Sequence, residues 1–261
     1  MSRRPASLCV VDVGNTHTVL GLYEDDRLAH RWRLRTDPER TTDEWGLTLQ
    51  TFFAIEDREL SSVDAAAMSS VVPPAVHALR RACRRYFDVE PLVVGPGIKT
   101  GLAIRYDNPR EIGADRIVNA VAAHSRVEGS CIVVDFGTAT TLDCIDGKGA
   151  YLGGAIAPGI RTALDALVSR AAKLPRVEIE RPRAAIGKTT EQSMQSGLLY
   201  GYTALVDGLA ERLAAEMEGE VAVIATGGLA SAIAAESRTI DRVEPDLTLE
   251  GLRLIHERNR T

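Results

Sequence analysis

Hydrophobic and polar positions divide the chain into short apolar runs of strand length, separated by polar turns and a few longer amphipathic stretches. Residues 8–23 read as an apolar strand, a sharp polar turn and a second strand with alternating apolar positions. Glu24-Asp25-Asp26 supplies the next turn, and Arg27–Arg35 a third strand. A helix starts at Thr41-Thr42-Asp43-Glu44, where Thr41 and Glu44 have capping-box spacing, and Trp45, Leu49, Phe52 and Phe53 give it an apolar face. A strand over 63–72 leads into Pro73-Pro74, which opens a helix to about Phe87, and 91–94 is a further strand. A helix follows over 111–127, then a second strand–turn–strand unit over 131–145. Asp146-Gly147-Lys148-Gly149 turns the chain into a strand over 150–157, and Pro158-Gly159 breaks into a helix from about Ile160. Residues 173–182 are irregular, fenced by Pro175 and Pro182. The most periodic helix covers 190–217, with Met194, Leu198, Tyr202, Leu205, Leu209 and Leu213 at spacings of four and three. A strand over 221–225, the turn Thr226-Gly227-Gly228-Leu229 and a closing helix Leu247–Arg258 complete an α/β pattern.

The chemistry gathers at the two hairpins. In the first, Asp12-Val13-Gly14-Asn15-Thr16-His17-Thr18-Val19 places an acid, a glycine and a row of short donors in one turn. Gly14 lets a ligand approach the backbone, and Asn15, Thr16 and Thr18 add side-chain donors to backbone N–H groups, a combination suited to phosphate oxygens. Asp12 would repel a phosphate, so its natural partner is Mg²⁺ or the water around it. Alone, such a turn reads more readily as an ordinary polar hairpin. The second unit repeats the grammar at Asp135-Phe136-Gly137-Thr138-Ala139-Thr140-Thr141, 123 residues further on and close to half the chain. That offset is too long for a solenoid repeat and suits two related domains, over 1–128 and 129–261. Two phosphate-cradling hairpins facing each other across a cleft are the arrangement of the actin-like (ribonuclease H-like) ATPase and sugar-kinase fold, so the pattern points to phosphoryl transfer.

Composition narrows the field. A chain of 261 residues with 45% hydrophobic and 26% charged residues is ordinary for a globular protein with sizeable cores. A net charge of −5 speaks against a nucleic-acid surface. The one basic cluster, Arg80, Arg81, Arg84 and Arg85, has helical spacing and reads as a solvated face. Cys9, Cys83, Cys131 and Cys144 show no C-x-x-C spacing and read as small buried hydrophobes in a reducing compartment. Met1-Ser2-Arg3-Arg4 is basic, but the apolar run after it meets Asp12 too soon for a signal peptide, and no transmembrane run is present. A cytoplasmic protein without membrane or nucleic-acid partners is expected.

Two glycine-rich stretches are decoys. Gly95-Pro96-Gly97-Ile98-Lys99-Thr100-Gly101 resembles a dinucleotide loop with its spacing wrong by one, and Asp107-Asn108-Pro109 prevents the helix it would need. Gly187-Lys188-Thr189 resembles the tail of a P-loop, but Pro182 stands where the upstream glycine belongs. Gly197, Gly201 and Gly208 notch the longest helix, a pattern that lets another backbone pack closely, in the core or across a dimer.

Taken together, the motifs resemble those of type III pantothenate kinases nearly end to end. The likeness rests on Asp12-Val-Gly-Asn-Thr-His-Thr, Tyr106-Asp-Asn-Pro, Gly113-Ala-Asp-Arg, Asp135-Phe-Gly-Thr-Ala-Thr-Thr, Gly153-Gly-Ala-Ile-Ala-Pro-Gly, Thr226-Gly-Gly and Pro245-Asp-Leu-Thr-Leu-Glu-Gly-Leu. It implies a duplicated actin-like fold, a homodimer with a shared active site, and ATP-dependent phosphorylation of pantothenate, the opening step of coenzyme A synthesis. Mg²⁺ and an activating K⁺ or NH₄⁺ are implied with it. Carried over by motif, Asp115 resembles the general base, and Tyr106, Gly113, Ala114, Asp115 and Arg116 line the substrate. Asp12 to Val19 hold the ATP phosphates, with Asp12 on Mg²⁺, and Thr138, Gly227 and Gly228 also touch ATP. Asp135 resembles the monovalent-cation ligand, and Thr190 a substrate contact reaching in from the partner subunit. His17 lies within the phosphate turn without an assigned task.

Two rivals stand beside this reading. One is a kinase of the same fold acting on another small hydroxyl compound, against which Tyr106 and Gly113-Ala-Asp-Arg speak. The other is a nucleotide-binding accessory regulator without turnover, against which the intact Asp12, Asp115 and Asp135 speak.

Overall fold

The computed structural model describes residues 7–171 and 173–260, so the basic opening Met1-Ser2-Arg3-Arg4 lies outside the described residues. In chain order the elements are β1 (Ser7–Val13), β2 (His17–Glu24), β3 (Arg27–Arg35), α1 (Thr42–Ile55), β4 (Ala65–Ser70), α2 (Pro73–Ala82), β5 (Leu92–Val93), β6 (Ala103–Ile104) and α3 (Ala114–Arg126). They continue as β7 (Ser130–Phe136), β8 (Ala139–Ile145), β9 (Ala150–Pro158), α4 (Ile160–Arg170), α5 (Thr190–Ala215), β10 (Val221–Gly227), α6 (Ala230–Ala234), β11 (Arg242–Val243) and α7 (Leu247–Arg258). Both hairpins, the capping box and the closing helix stand where the hydrophobic pattern puts them. The helix from Pro73 also runs to Phe87, its last turn widening into a π-helix over Cys83–Phe87. The two-residue strands β6 and β11 have no pattern of their own to betray them.

The residues form two compact units that are discontinuous in sequence. One comprises the described residues up to Gly101, Asn108–Ala122 and those from Thr248 onward, and the other Leu102–Asp107 and Ala123–Leu247. They are not the contiguous stretches 1–128 and 129–261, because α7 packs with the first unit and the β6 segment joins the sheet of the second.

In the first unit a five-stranded sheet has the order β3-β2-β1-β4-β5, antiparallel along β3-β2-β1 and parallel from β1 through β4 to β5. Side chains alternate across each strand. Cys9, Val11 and Val13 of β1, with Leu20 and Leu22 of β2, pack under α1 and α2, where Trp45, Leu49, Phe53 and Leu79 are almost fully buried. Thr41 N–H donates to Glu44 Oε2 at 2.7 Å and Glu44 N–H to Thr41 Oγ at 3.3 Å, so α1 begins with two of its orphan donors satisfied. Val10 and Asp12 point to the other face, where Val10 and Leu249 of α7 crowd Gly21.

The second unit repeats this plan. Its sheet has the order β11-β10-β7-β8-β9-β6, in which the antiparallel run β9-β8-β7 and the parallel run β7-β10-β11 reproduce the order of the first sheet strand for strand. Ile132, Val134, Leu142, Val223 and Ala225 form its core with α4, α5 and α6, leaving Asp135, Thr141 and Asp143 on the opposite face. Helix α5 covers 26 residues, about 39 Å at ~1.5 Å per residue. A side-chain carbon at Gly197, Gly201 or Gly208 would meet no atom of the described chain within 4 Å, so these notches receive no backbone from the core.

Helix α7 is held differently. A side-chain carbon at Gly251 would lie 2.1 Å from the backbone oxygen of Val118 in α3, and Thr248 Oγ donates to Asn119 Oδ1 at 2.7 Å. Gly251→Ala gains about 1 kcal/mol of helix propensity, but it overpacks a contact against rigid backbone, which costs about 1–3 kcal/mol and more when the neighbour cannot move. The clash wins, so thermal unfolding of Gly251→Ala is expected to show a midpoint several degrees below the parent. An unchanged or raised midpoint would contradict the close packing of α7 on α3.

Candidate active site

In the first unit the site is built on a sheet register. Asp12 is the penultimate residue of β1, and parallel pairing with β4 sets it beside Ser69, whose hydroxyl donates to Asp12 Oδ1 at 2.7 Å. Part of Asp12 remains accessible in the static structure, yet protein surrounds the carboxylate enough that burial pushes its pKa up to about 7. The Ser69 hydrogen bond opposes that rise, and the Asp115 charge adds to it. Asp115 sits in the first turn of α3, where the Arg116 N–H donates to its Oδ1 at 2.9 Å. Its pKa too is raised by burial, against the pull of the Arg116 N–H and guanidinium. A side-chain carbon at Gly113 would fall 2.4 Å from Asp115 Oδ1, so glycine there leaves room for the carboxylate. The structure thus brings Asp12, Gly113, Ala114, Asp115 and Arg116 into one unit, where the charge of Asp115 acts on Asp12.

The turn after Asp12 is pinned by a residue that sequence reasoning missed. Gly14 N–H donates to the His17 carbonyl at 3.1 Å, and Thr36, just past β3, donates its hydroxyl to the Gly14 carbonyl at 2.6 Å and its N–H to the Thr16 carbonyl at 2.9 Å. Thr18 Oγ lies 3.0 Å from Thr36 Oγ. Asn15 and Thr16 are left exposed at the tip, whereas the Val13 side chain is buried, so Val13 could meet a ligand only through its backbone. Val19 lies opposite Asp12, and His17 Nδ1 is 2.8 Å from an Arg33 guanidinium nitrogen. Neither Thr36 nor Ser69 belongs to a motif. Only the strand register brings each into place.

The second hairpin is braced in the same position by another chemistry. Gly137 N–H donates to the Ala139 carbonyl at 3.0 Å, and the Thr138 carbonyl accepts from Gly159 N–H at 3.0 Å and Thr162 Oγ at 2.7 Å. Asp135 faces Thr141 on β8 and Thr226 on β10. Gly227 has φ +93°, and a side-chain carbon on it would lie 2.7 Å from Asp135 Oδ1 and from the Phe136 backbone. The exposed Gly227-Gly228 turn therefore abuts the second acid directly. Tyr106 belongs to this unit as well, its ring edge-on to Tyr151 and lying over Gly153. Thr190 is the exposed first residue of α5, which Thr189 caps by accepting from Gln192 N–H at 3.2 Å.

Neither decoy loop resembles a nucleotide cradle. Lys99 is tied to the residue just past α7 through paired hydrogen bonds with the Asn259 amide, and Gly187 packs on the first turn of α5. An open groove of about 540 Å³, lined by Thr41, Thr42, Asp43, Arg81, Arg84 and Arg85, shares no residue with the site. Two of its arginines bind local acids: Arg85 meets Asp43 at 2.7 Å, and Arg84, with the neighbouring Arg80, brackets Glu90.

The duplicated sheets, each carrying an Asp-x-Gly hairpin at the same position, have the fold of the actin-like ATPases and sugar kinases. Solved structures with this fold include a putative Baf family transcriptional activator from Campylobacter jejuni, with a TM-score of 0.57 at 17% identity over 96% of this chain and 98% of that one. Another is the activator of 2-hydroxyisocaproyl-CoA dehydratase from Clostridium difficile, solved with bound ADPNP, with a TM-score of 0.54 at 10% identity over 96% of this chain and 95% of that one. The family model described as type III pantothenate kinase matches residues 8–212. The type III pantothenate kinase of Geobacter sulfurreducens is 56% identical over 253 residues, 97% of this chain and 99% of that protein. The chain belongs to the type III pantothenate kinase family.

The raised pKa of Asp12 has a measurable consequence. Between the usual carboxylate value of 3.8 and about 7, the native protein holds a proton that the unfolded chain has released. Stability of the nucleotide-free, metal-free protein should therefore fall as pH rises through that window and level off above it. Asp12→Asn keeps an acceptor for Ser69 and removes the charge. Denaturant melts should show it matching the parent near pH 4 and exceeding it at pH 8 by an amount bounded at about 4 kcal/mol. Equal pH profiles for the two proteins would mean that Asp12 ionises as an ordinary carboxylate.

Proposed function

We propose that the protein transfers the γ-phosphoryl group of ATP to the primary hydroxyl of pantothenate, giving 4′-phosphopantothenate and ADP in the cytoplasm. The observation that carries the reading is the pairing of Asp12 and Asp115 in one unit, beside a turn rich in short donors, in a chain of this family. Asp115 accepts the hydrogen bond of the pantothenate hydroxyl, orients its oxygen toward the γ-phosphorus and takes its proton as the new O–P bond forms. The bond from that phosphorus to the β–γ bridging oxygen breaks, and ADP leaves with the electron pair. A carboxylate raised by burial is better matched to this task than one left in water. Because phosphoryl transfer passes through a loose transition state, the protein mainly positions and neutralises.

Mg²⁺ fits the donor set. Asp12 offers one carboxylate with a single oxygen engaged by Ser69, and no group of three or more His, Cys, Asp or Glu side chains gathers among the described residues. That suits a cation held by one carboxylate, water and substrate phosphates. Asp12 would hold it, directly or through water, and when bound it would neutralise charge on the β- and γ-phosphates. The turn through Val19 and the residues Thr138, Gly227 and Gly228 receive ATP. Asp135 takes K⁺ or NH₄⁺, and Tyr106 with Gly113 to Arg116 lines pantothenate. The second reading, an accessory regulator without turnover, is disfavoured by the intact three acids.

The test is an ATP-dependent assay of the purified protein with Mg²⁺ and pantothenate, against a panel of sugars and hydroxy acids. Turnover is expected on pantothenate, stimulated by K⁺ or NH₄⁺ over Na⁺, and Asp115→Asn should lower kcat by roughly 10²–10⁴-fold with ATP binding little changed. Activity on a sugar and none on pantothenate would sink the substrate assignment, and near-normal turnover of Asp115→Asn would return that residue to a helix-start acid.

The reading extends to a homodimer in which Thr190 serves the neighbouring site, a view supported by the unfilled notches at Gly197, Gly201 and Gly208. Mixing Asp115→Asn protein with a bulky Thr190 variant, each nearly inactive alone, should restore about a quarter of the sites once subunits exchange at random in a two-fold dimer. No recovery, with exchange verified by mass, would rule out sharing.

A further inference from the structure

We propose that Asp143 and Tyr151 form a positioning pair that fixes the Tyr106 ring and so sets the affinity for the phosphoryl acceptor, a role that rests on reading Tyr106 as a pantothenate contact. Asp143 lies on β8 with no exposed surface. A carboxylate taken out of water persists only when its oxygens are bonded. Here Tyr151 Oη donates to Asp143 Oδ1 at 2.6 Å and Thr141 Oγ to Oδ2 at 3.1 Å. The hydroxyl of Tyr151 is thereby anchored, and its fully buried ring becomes a fixed wall.

Tyr106 stands against that wall, with ring centroids 6.2 Å apart and planes at 63°. Its backbone is held there too, because β6 pairs Ile104 with Tyr151 and Arg105 N–H donates to the Tyr151 carbonyl at 2.9 Å. The Tyr106 ring also covers Gly153, whose φ of +118° favours glycine and where a side-chain carbon would come within 3.3 Å of the ring. The irregularity in the β8–β9 ladder at Cys144/Ile145 sets Tyr151 opposite Ile145 and Gly153 opposite Cys144. Tyr106 itself is half-buried, gripped by these neighbours and still accessible to a ligand.

The other end of the network reaches the second hairpin. Thr141, the second donor to Asp143, is the cross-strand partner of Asp135. One carboxylate therefore ties the nucleotide-side hairpin to the acceptor-side tyrosine, all within one unit. Loosening it should move the acceptor's binding surface while leaving the phosphate turns intact.

The experiment is steady-state kinetics of full-length Tyr151→Phe, which keeps the ring and removes only the hydroxyl. The expected result is a rise of roughly tenfold in the KM for pantothenate, about the worth of one hydrogen bond, with kcat and the KM for ATP within about twofold of the parent. Such a split marks binding lost equally from ground and transition states, which a general loss of stability would not produce. A folded variant with the parent's pantothenate KM, or with an equal rise for ATP, overturns the proposal. Should the unpaired charge of Asp143 prevent folding, the double variant Asp143→Asn, Tyr151→Phe removes that charge and should show the same selective rise. Parental kinetics in the double variant, or its failure to fold, would assign the pair to stability alone and overturn the role. A parent protein inactive on pantothenate would overturn the functional reading itself, and this role with it.

Discussion

A carboxylate is expensive to surround with protein, and this chain does so at Asp12. The cost shows as a pKa pushed up to about 7 despite the hydrogen bond from Ser69. Asp115 adds its own charge to the same region when either acid could have been placed in water. Bringing a second like charge near the first raises the cost of ionising it further. The rest of the first unit is arranged to keep them there. Parallel pairing of β1 with β4 supplies Ser69, the glycine before α3 clears space for Asp115, and α7 locks α3 through a contact too close for any side chain at Gly251.

The duplication extends beyond the Asp-x-Gly motif to the hydrogen bonds that hold each turn. In both units the residue immediately after the third strand donates its N–H to a carbonyl in the turn: Thr36 to Thr16 in one, Gly159 to Thr138 in the other. The two have since diverged. The first turn is one residue longer, and its Thr36 hydroxyl satisfies both Gly14 and Thr18. The second has Gly159 at that place, where a side-chain carbon would strike the Gly137 and Thr138 carbonyls, and Thr162 supplies the hydroxyl from α4 instead. Thr140, the counterpart of Thr18, is consequently buried without a partner for its hydroxyl among the described residues. Equal backbone paths have been reached with different side chains.

Helix–strand alternation, the hairpins, the capping box at Thr41 and the closing helix were legible because each is a local pattern whose period or cap is written in adjacent residues. The strands β6 and β11 were not, being two residues long and defined only by the neighbour they pair with. The same limit applies to the site. Asp12, Asp115 and Asp135 stand in motifs and could be named from them. Thr36, Ser69, Asp143 and Tyr151 carry no motif, and nothing short of the register marks them.

The sequence by itself determined the elements, the two-fold repetition of the phosphate-type turn and the family, because these depend on residue type and spacing along one chain. Tertiary structure decided which residues share a unit. It assigned Tyr106 to the sheet of the second hairpin and α7 to the unit of the first, although each lies in the other half of the chain. It also decided the electrostatics, since an aspartate's pKa depends on burial and on charges brought near by folding, which the order of residues does not state. Asp12 and Asp115 are 103 positions apart in sequence, and only folding brings the charge of Asp115 near enough to act on Asp12.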